Sequence, residues 1–202
     1  VIPKKGSVGA SGDLAPLGHM ALALIGEGEV FFKGNREKTL TALKKARVKP
    51  LSLKPKEGIS LINGTQVSTA IAIKALLDGH RLLISADIAG ALSVENSFSS
   101  HKVFQKKIHD LKQHPGQRIS ARNIYKLLSK SEIVQSHSNC GKVQDPYSFR
   151  CIPHVHGASR DIFSNAANII NNEINSVSDN PLILDSKTIV SSGHFHAEHV
   201  AM

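Results

Sequence analysis

The stretch GTQVSTAIAIKALLDGHRLLISADIAGALSVENSFS, residues 64–99, decides the fold class. Alanine, leucine and isoleucine dominate it, charges are sparse, and no proline interrupts it. This composition predicts one long helix, much of it buried on all sides. A helix of that kind packs in a bundle, so we expect a mainly α fold.

Shorter segments on either side agree with a helical fold. Their apolar spacing and their turn residues set the expected boundaries. The predicted segments are helices over 13–25, 39–47, 119–128 and from about 159, a turn over 114–117, an extended excursion over 27–36, and a small β-hairpin joining 182–184 to 188–190. Because we find no internal repeat and no low-complexity linker, we expect residues 1–202 to form a single domain.

The charge of the chain is a weak indication of its partners. The formal net charge is +9 over 202 residues, but nine of the basic residues crowd the segment between 33 and 56. Aromatic residues make up only 4% of the chain, and no nucleic-acid motif accompanies the basic run. We therefore interpret this segment as a solvated face and expect no nucleic-acid partner.

The apolar stretches and the cysteines bear on location. The longest apolar candidate, residues 71–94, is interrupted by four charged side chains, so no membrane span is expected. Cys140 and Cys151 lie in a polar segment without CxxC spacing. Such cysteines favour reduced thiols and a cytoplasmic protein over a disulfide.

A second stretch, GSVGASGDLAPL at residues 6–17, carries unusual chemistry. If the backbone bends until the Gly12 amide nitrogen meets the Ala10 carbonyl carbon, attack closes a five-membered ring. Loss of two waters, one from the Ser11 side chain, leaves 4-methylidene-imidazol-5-one (MIO), an electrophile that ordinary side chains cannot supply. Glycine suits the attacking position because it tolerates unusual backbone angles.

Three other interpretations of this stretch fit less well. A flexible turn would not need so specific a run. A phosphate-binding loop would end in Gly-Lys-Ser/Thr, and a serine-nucleophile elbow would have Gly-x-Ser-x-Gly spacing, neither of which occurs here. Asp13 and the apolar run after it predict a helix start, with a carboxylate in the first turn and Pro16 near the terminus, where proline is tolerated.

Two further polar segments are candidates for the site. Asn63-Gly64-Thr65-Gln66 precedes the long helix, although Asn-Gly alone is usually a turn or cap. The run NCGKVQDPYSFRC, residues 139–151, gathers an amide, a phenol and a guanidinium within a predicted loop. Arginine can clamp a carboxylate and tyrosine can exchange a proton, but a polar loop with a surface salt bridge would have the same composition.

Taken together, these runs resemble the aromatic amino acid lyases. The matching segments are GSVGASGDLAPLGHM, LINGTQ, NCGKVQDPYSFRC, NSVSDNPL and GHFHAEHVAM, which occur in the family's order and span essentially the whole chain. Within the family, the Gln-Asp-Pro-Tyr-Ser form of the loop resembles members that act on histidine. Members that act on phenylalanine usually have Arg and Ala at the positions of Pro146 and Ser148.

The resemblance implies a role for each matching residue. MIO would form from Ala10, Ser11 and Gly12 without an external cofactor or metal. Asn63 would hydrogen-bond this group or the substrate amine. Gln144 and Arg150 would bind the substrate, with Arg150 binding its carboxylate. Tyr147 would lie beside the reacting carbons, and Phe195 would line the pocket.

The resemblance also implies an assembly and a reaction. The fold would be a long-helix bundle of the aromatic amino acid lyase, fumarase-like type, in a homotetramer whose active sites combine several subunits. The reaction would remove ammonia from L-histidine and give trans-urocanate in histidine breakdown. A related lyase or aminomutase acting on another aromatic amino acid stays open, as does a noncatalytic assembly subunit, which would not need Ser11, Asn63, Tyr147 and Arg150.

The ends of the chain and one departure from the family pattern raise two more expectations. We interpret the chain as an internal piece of a longer polypeptide whose isolated form is inactive, because the resemblance assigns other site residues to flanking segments. Gly193-His194-Phe195-His196 and Glu198-His199 stand where the family usually has Gly-Asn-Phe-His and Glu-Pro. His194, His196 and His199 therefore suggest an alternative transition-metal site, with His194 and His196 on one side of a strand.

Overall fold

A computed structural model describes residues 1–8 and 12–202 of the chain. Helices dominate these residues, and two short hairpins accompany them, which confirms the predicted fold class. The helices are α1 (Leu14–Leu24), α2 (Thr39–Ala46), α3 (Glu57–Ile62), α4 (Gln66–Asn96), α5 (Lys106–His109), α6 (Pro115–Leu128), α7 (Glu132–Ser136), α8 (Tyr147–Arg150), α9 (Ile152–Ile174) and α10 (Glu198–Ala201), with a 3₁₀ turn at His101–Phe104.

The predicted long helix exists as α4, which has 31 residues. The expectation that it is buried on all sides is wrong for this chain. Large apolar side chains at positions 77, 84, 88 and 92 are each close to half exposed or more. These positions recur every four or seven residues and so form one stripe. An apolar composition predicts that a helix will be covered, but it does not say whether the same chain covers it.

Two helices begin earlier than their apolar spacing predicts. α6 starts at Pro115, inside the expected turn, and α9 starts at Ile152, with Pro153 directly after it. Proline has no amide hydrogen, and the first turn of a helix is where none is needed. A proline that looks like a helix breaker in the sequence therefore lies in the opening turn of each helix.

The two hairpins differ in how well the sequence predicted them. β3 (Leu182–Ile183) pairs antiparallel with β4 (Ile189–Val190), as expected. The excursion after α1 is in fact a second hairpin, in which β1 (Glu29–Phe32) pairs with β2 (Asn35–Lys38). Its two-residue turn, Lys33-Gly34, has positive φ at both positions, the geometry that suits tight hairpins.

The contacts divide the chain into two compact units, residues 1–73 with 169–202 and residues 74–168. The expectation of a single domain stays a prediction. Within the described ranges, no helix combines the length and the apolar character of a membrane span.

The second unit has an apolar core. It contains Ala91, Val94, Phe104, Ile124, Leu128, Val134 and Ile152, drawn from α4, the 3₁₀ turn, α6, α7 and α9. α6 and α9 cross at glycines: a methyl group at Gly157 would lie 2.4 Å from the Gln117 backbone, and one at Gly116 would lie 2.2 Å from the Gly157 oxygen. Larger side chains would therefore separate these two helices.

A buried carboxylate ties the same helices together. Asp87 of α4 is 2% exposed. It accepts hydrogen bonds from Ser120 and from Asn123 (2.8 Å) on α6, and it contacts His156 Nδ1 (3.0 Å) and the Arg160 guanidinium (2.6 Å) on α9. Burial alone would raise the pKa of Asp87, but these hydrogen bonds and the Arg160 charge lower it below its ordinary value.

Candidate active site

Three of the predicted site residues meet in the first unit. Gly12 has a φ of +72°, a conformation that glycine adopts without strain. A methyl group at Gly12 would lie 2.5 Å from Asn63 Oδ1 and 3.8 Å from Phe195 Cδ2. Gly12, Asn63 and Phe195, separated widely in sequence, therefore surround one point. Ala10 and Ser11 lie outside the described residues.

The turn between α3 and α4 presents Asn63 to Gly12. Asn63 ends α3, and the Gly64 carbonyl accepts a hydrogen bond from the Gly12 amide at 3.2 Å. Gly64 is buried, and a methyl group on it would lie 2.9 Å from the Ser178 carbonyl oxygen. Glycine at this position therefore lets the turn approach both neighbouring segments. We call residues 63–65 the Asn63 turn.

Asp13 does not act as the first-turn carboxylate that the sequence predicted. It is the residue before α1, and its side chain makes no capping hydrogen bond. Instead the carboxylate is 4% exposed and accepts hydrogen bonds from Ser7 Oγ and, at 3.2 Å, from the Val8 amide. The Asp13 carboxylate is thus held by donors upstream of it and not by the amides of α1. Pro16 lies near the helix start, as predicted.

Three other predicted site residues lie in the second unit. Gln144 is exposed, Tyr147 is 74% exposed, and Arg150 is half-buried. Tyr147 and Arg150 lie in the single turn α8, which replaces the end of the predicted loop. The Arg150 guanidinium lies 4.8 Å from the centre of the Tyr147 ring, and Arg150 Nε donates to the Asp145 carbonyl at 2.6 Å.

A cleft of about 560 Å³ adjoins this segment. Gln144 and Arg150 line it together with His101, His137 and Cys140, among others. The base of the segment is fixed by Asp145, which is buried and accepts a hydrogen bond from the Ser100 amide at 2.8 Å. An anchored backbone with exposed polar side chains is suited to ligand recognition.

The comparisons with known proteins establish the family of the chain. A family model described as aromatic amino acid lyase matches residues 1–202. The chain belongs to the aromatic amino acid lyase family. It is 48% identical over 203 residues to a histidine ammonia-lyase of Myxococcus xanthus and 51% identical over 202 residues to one of Burkholderia cenocepacia. In both cases the match covers all of this chain and 40% of the relative, so the chain spans about two fifths of the length of these lyases.

Solved structures of the lyase family share the fold. A tyrosine aminomutase of Streptomyces globisporus superposes with a TM-score of 0.83 at 34% identity, over 99% of this chain and 41% of its own. A histidine ammonia-lyase of Trypanosoma cruzi gives 0.80 at 34% identity, over 99% and 37%. The ergothionase of Treponema denticola gives 0.89 at 27% identity, over 99% and 40%. The resemblance inferred from the sequence is thus confirmed at the level of family and fold.

The alternative metal site at the end of this lyase-family chain is wrong. The described residues contain no group of three histidine, cysteine or acidic side chains that could hold a metal ion. His194 Nδ1 pairs with Ser192 Oγ at 2.7 Å, while His196 Nδ1 lies 3.9 Å from Glu198 Oε2. The prediction assumed a strand here, but residues 193–195 form a bend and a turn, so the two histidines do not share a strand face.

Sequence reasoning missed a contact between Thr65, which belongs to the Asn63 turn, and Glu173 of α9. Thr65 is 2% exposed and donates a hydrogen bond from Oγ1 to Glu173 Oε1. The two residues are 108 positions apart, and the sequence analysis assigned no role to either of them. Only one feature of the sequence could have pointed to Glu173: it is the one acidic residue in the Asn-rich end of α9, a segment that is otherwise uncharged.

Proposed function

We propose that the protein is a histidine ammonia-lyase that eliminates ammonia from L-histidine to give trans-urocanate, using an MIO group made from Ala10, Ser11 and Gly12. One observation carries the proposal: Gly12, Asn63 and Phe195 converge in a chain that is about half identical, along all of its length, to named histidine ammonia-lyases. The fold alone would support any member of the family.

The described residues fit the proposed prosthetic group. The positive φ of Gly12 and the Asn63 oxygen, 2.5 Å from where a methyl group on Gly12 would lie, both disfavour any other residue type at this position. Asn63 has no side-chain hydrogen-bond partner within residues 1–8 and 12–202, so its amide is available to the group or to a substrate amine. When present, MIO supplies an electrophilic carbon, which this reaction needs because ammonium is a poor leaving group and the β-proton is weakly acidic.

The second group of residues would hold the substrate. Because Arg150 Nε is committed to the Asp145 carbonyl, the orientation of the guanidinium is set. Its terminal nitrogens have no hydrogen-bond partner in the described part of the chain, and they can donate a bidentate pair of hydrogen bonds to a substrate carboxylate. We propose that Gln144 assists in this binding and that Tyr147, whose ring lies against Arg150, faces the reacting carbons. Phe195 would line the pocket.

The exposed stripe on α4 supports the proposed homotetramer. Leu77, Ile84, Ile88 and Leu92 are between 46% and 56% exposed along one side of the helix. A contiguous apolar stripe of this kind usually marks an interaction surface. We propose that α4 packs in a central bundle with other subunits, and that active sites combine residues from several of them. The free thiols of Cys140 and Cys151 are compatible with a cytoplasmic location.

A second candidate is an aminomutase of the same family. It is favoured by the tyrosine aminomutase and by the phenylalanine aminomutase of Pantoea agglomerans, which superpose with TM-scores of 0.83 and 0.81. Pro146 and Ser148 favour the histidine lyase, as the form of the loop in the sequence indicated. The two candidates differ in product, since an aminomutase returns a β-amino acid.

The test uses the protein at its full natural length. We expect urocanate absorbance to rise with L-histidine, little turnover of phenylalanine or tyrosine, and no β-amino acid. Formation of a β-amino acid would favour the aminomutase, and absence of any turnover would contradict the lyase. We expect residues 1–202 alone to be inactive, and urocanate formation by that piece would show this expectation to be wrong.

A further inference from the structure

The contact between Thr65 and Glu173 links the candidate site to the far end of α9. Thr65 is almost completely buried, and its hydroxyl donates to the Glu173 carboxylate, which is half-buried. A buried hydroxyl that loses its acceptor keeps the full cost of desolvation. The orientation of the Thr65 side chain is therefore determined by Glu173.

Thr65 is in turn fixed to the start of α4. Its carbonyl accepts hydrogen bonds from the Thr69 amide at 2.9 Å and from Thr69 Oγ1 at 2.8 Å. With backbone and side chain both held, Thr65 fixes the position of Gly64, the residue before it. The Gly64 carbonyl accepts a hydrogen bond from the Gly12 amide. A displacement of Thr65 would therefore also displace the acceptor of that hydrogen bond.

The segment that follows Glu173 also contacts the chain on either side of the Asn63 turn. Ser178 Oγ accepts a hydrogen bond from Gln66 Nε2 at 3.2 Å, and Asp179 forms an ion pair with Lys56, just before α3. Burial alone would raise the pKa of Asp179, but hydrogen bonding and the charge of Lys56 lower it below its ordinary value. Residues 173–179 thus contact chain on both sides of Asn63, with Glu173 making the most buried of these contacts.

We propose that Glu173 is a positioning residue of the lyase site. It acts through Thr65 and holds the Asn63 turn in register with Gly12. The role would matter first while the backbone of residues 10–12 closes into a ring, and afterwards for the direction of the Asn63 amide. Outer hydrogen-bond partners that orient reactive groups in this way commonly matter nearly as much as the groups themselves. The inference rests on the proposed function.

The experiment compares paired variants in the full-length protein. Glu173→Ala removes the acceptor, whereas Glu173→Gln keeps an oxygen at the same place. Thr65→Val removes the hydroxyl at constant shape, whereas Thr65→Ser keeps it. Glu132→Ala, at an exposed glutamate of α7, serves as the control. For each we would measure the fraction of chains whose intact mass lacks two waters, kcat and KM for L-histidine, and Tm.

The proposal predicts a defined pattern. In Glu173→Ala and Thr65→Val the dehydrated fraction or kcat should fall about 10- to 100-fold, while KM changes little because Gln144 and Arg150 are untouched. Glu173→Gln and Thr65→Ser should recover most of the loss. The double variant Thr65→Val/Glu173→Ala should be no worse than either single variant, since both remove the same contact.

Two results would overturn the inference. Full dehydration and wild-type kcat in both Glu173→Ala and Thr65→Val would show that the turn does not depend on this contact. Equal losses in Thr65→Val and Thr65→Ser would show that the hydroxyl is irrelevant, and this pair decides the question if Glu173→Ala fails to fold. A wild-type protein that retained both waters would overturn the proposed function as well, which separates that failure from failure of the inference alone.

Discussion

The Asp87 cluster and the Asn63 turn are both polar, but they use their polar groups in opposite ways. Asp87 is 2% exposed, and its two oxygens contact four side chains from α6 and α9. Nothing remains for a ligand. In the Asn63 turn, Thr65 is held by Glu173, yet the Asn63 amide has no hydrogen-bond partner among the residues described. Asp87, whose hydrogen-bonding capacity is used within the fold, stabilises the structure, whereas the Asn63 amide is available for chemistry.

The largest expected effect concerns the Asp87 cluster. Asp87→Ala removes the partner of the Arg160 guanidinium, and breaking a buried ion pair costs about 3–5 kcal/mol of the free energy of unfolding. We expect this loss in chemical denaturation, with kcat of the molecules that remain folded close to wild type. Asp78→Ala, on the exposed side of the same helix, should leave the denaturation midpoint near its original value. An equally stable Asp87→Ala protein would contradict the stabilising role.

The complementary change is Asn63→Ala. It should reduce kcat for L-histidine about 10²- to 10³-fold, the usual cost of removing one directed polar group from an active site. Because the Asn63 amide makes no hydrogen bond to the described chain, Tm should change little. A variant that lost stability but kept its activity would reverse the comparison between the two clusters.

A smaller effect is expected for Arg150→Lys. Lysine keeps the charge but loses the planar fork and the bond from Nε to the Asp145 carbonyl. Loss of one charge-assisted hydrogen bond predicts a rise in KM of about 10-fold or more, with a smaller change in kcat. Arg122→Lys, at an exposed arginine of the same unit, should leave both constants unchanged. An unaltered KM in Arg150→Lys would argue against carboxylate binding at this position.

The smallest expected effect is a dependence of the free energy of unfolding on pH in the acid range. The pKa of Asp87 is lowered in the folded protein, so the ionised carboxylate stabilises the fold above its unfolded pKa of about 3.9, and this stability is lost as the pH falls further. One such group changes the free energy of unfolding by at most about 1.4 kcal/mol for each pH unit. Below about pH 4, wild type should therefore lose stability more steeply than Asp87→Asn, as measured by denaturant titrations. Parallel curves would exclude this contribution.

The sequence predicted features that depend on local pattern or on a matched motif. The length of α4 follows from its composition, and the β3–β4 hairpin follows from its turn. The meeting of Gly12, Asn63 and Phe195 follows from the resemblance to the lyase family. Each of these depends on residues that are neighbours in sequence or parts of a known motif.

The features that the sequence did not predict depend on distant contacts. Thr65 and Glu173 lie 108 positions apart, and a threonine before a helix or a glutamate near its end is unremarkable in isolation. The metal hypothesis failed because residue types cannot reveal that the backbone bends between His194 and His196. The exposure of the apolar stripe of α4 was not predicted for a related reason. An apolar pattern indicates that a helix face will be buried, but it does not show whether the covering surface belongs to the same chain.

The most direct test of the central claim is the intact mass of the full-length protein beside its Ser11→Ala variant. The account predicts a wild-type mass that is two waters below the value calculated from the sequence, and a Ser11→Ala mass without that deficit. A wild-type mass equal to the calculated value would contradict the claim that Gly12, Asn63 and Phe195 surround an MIO group.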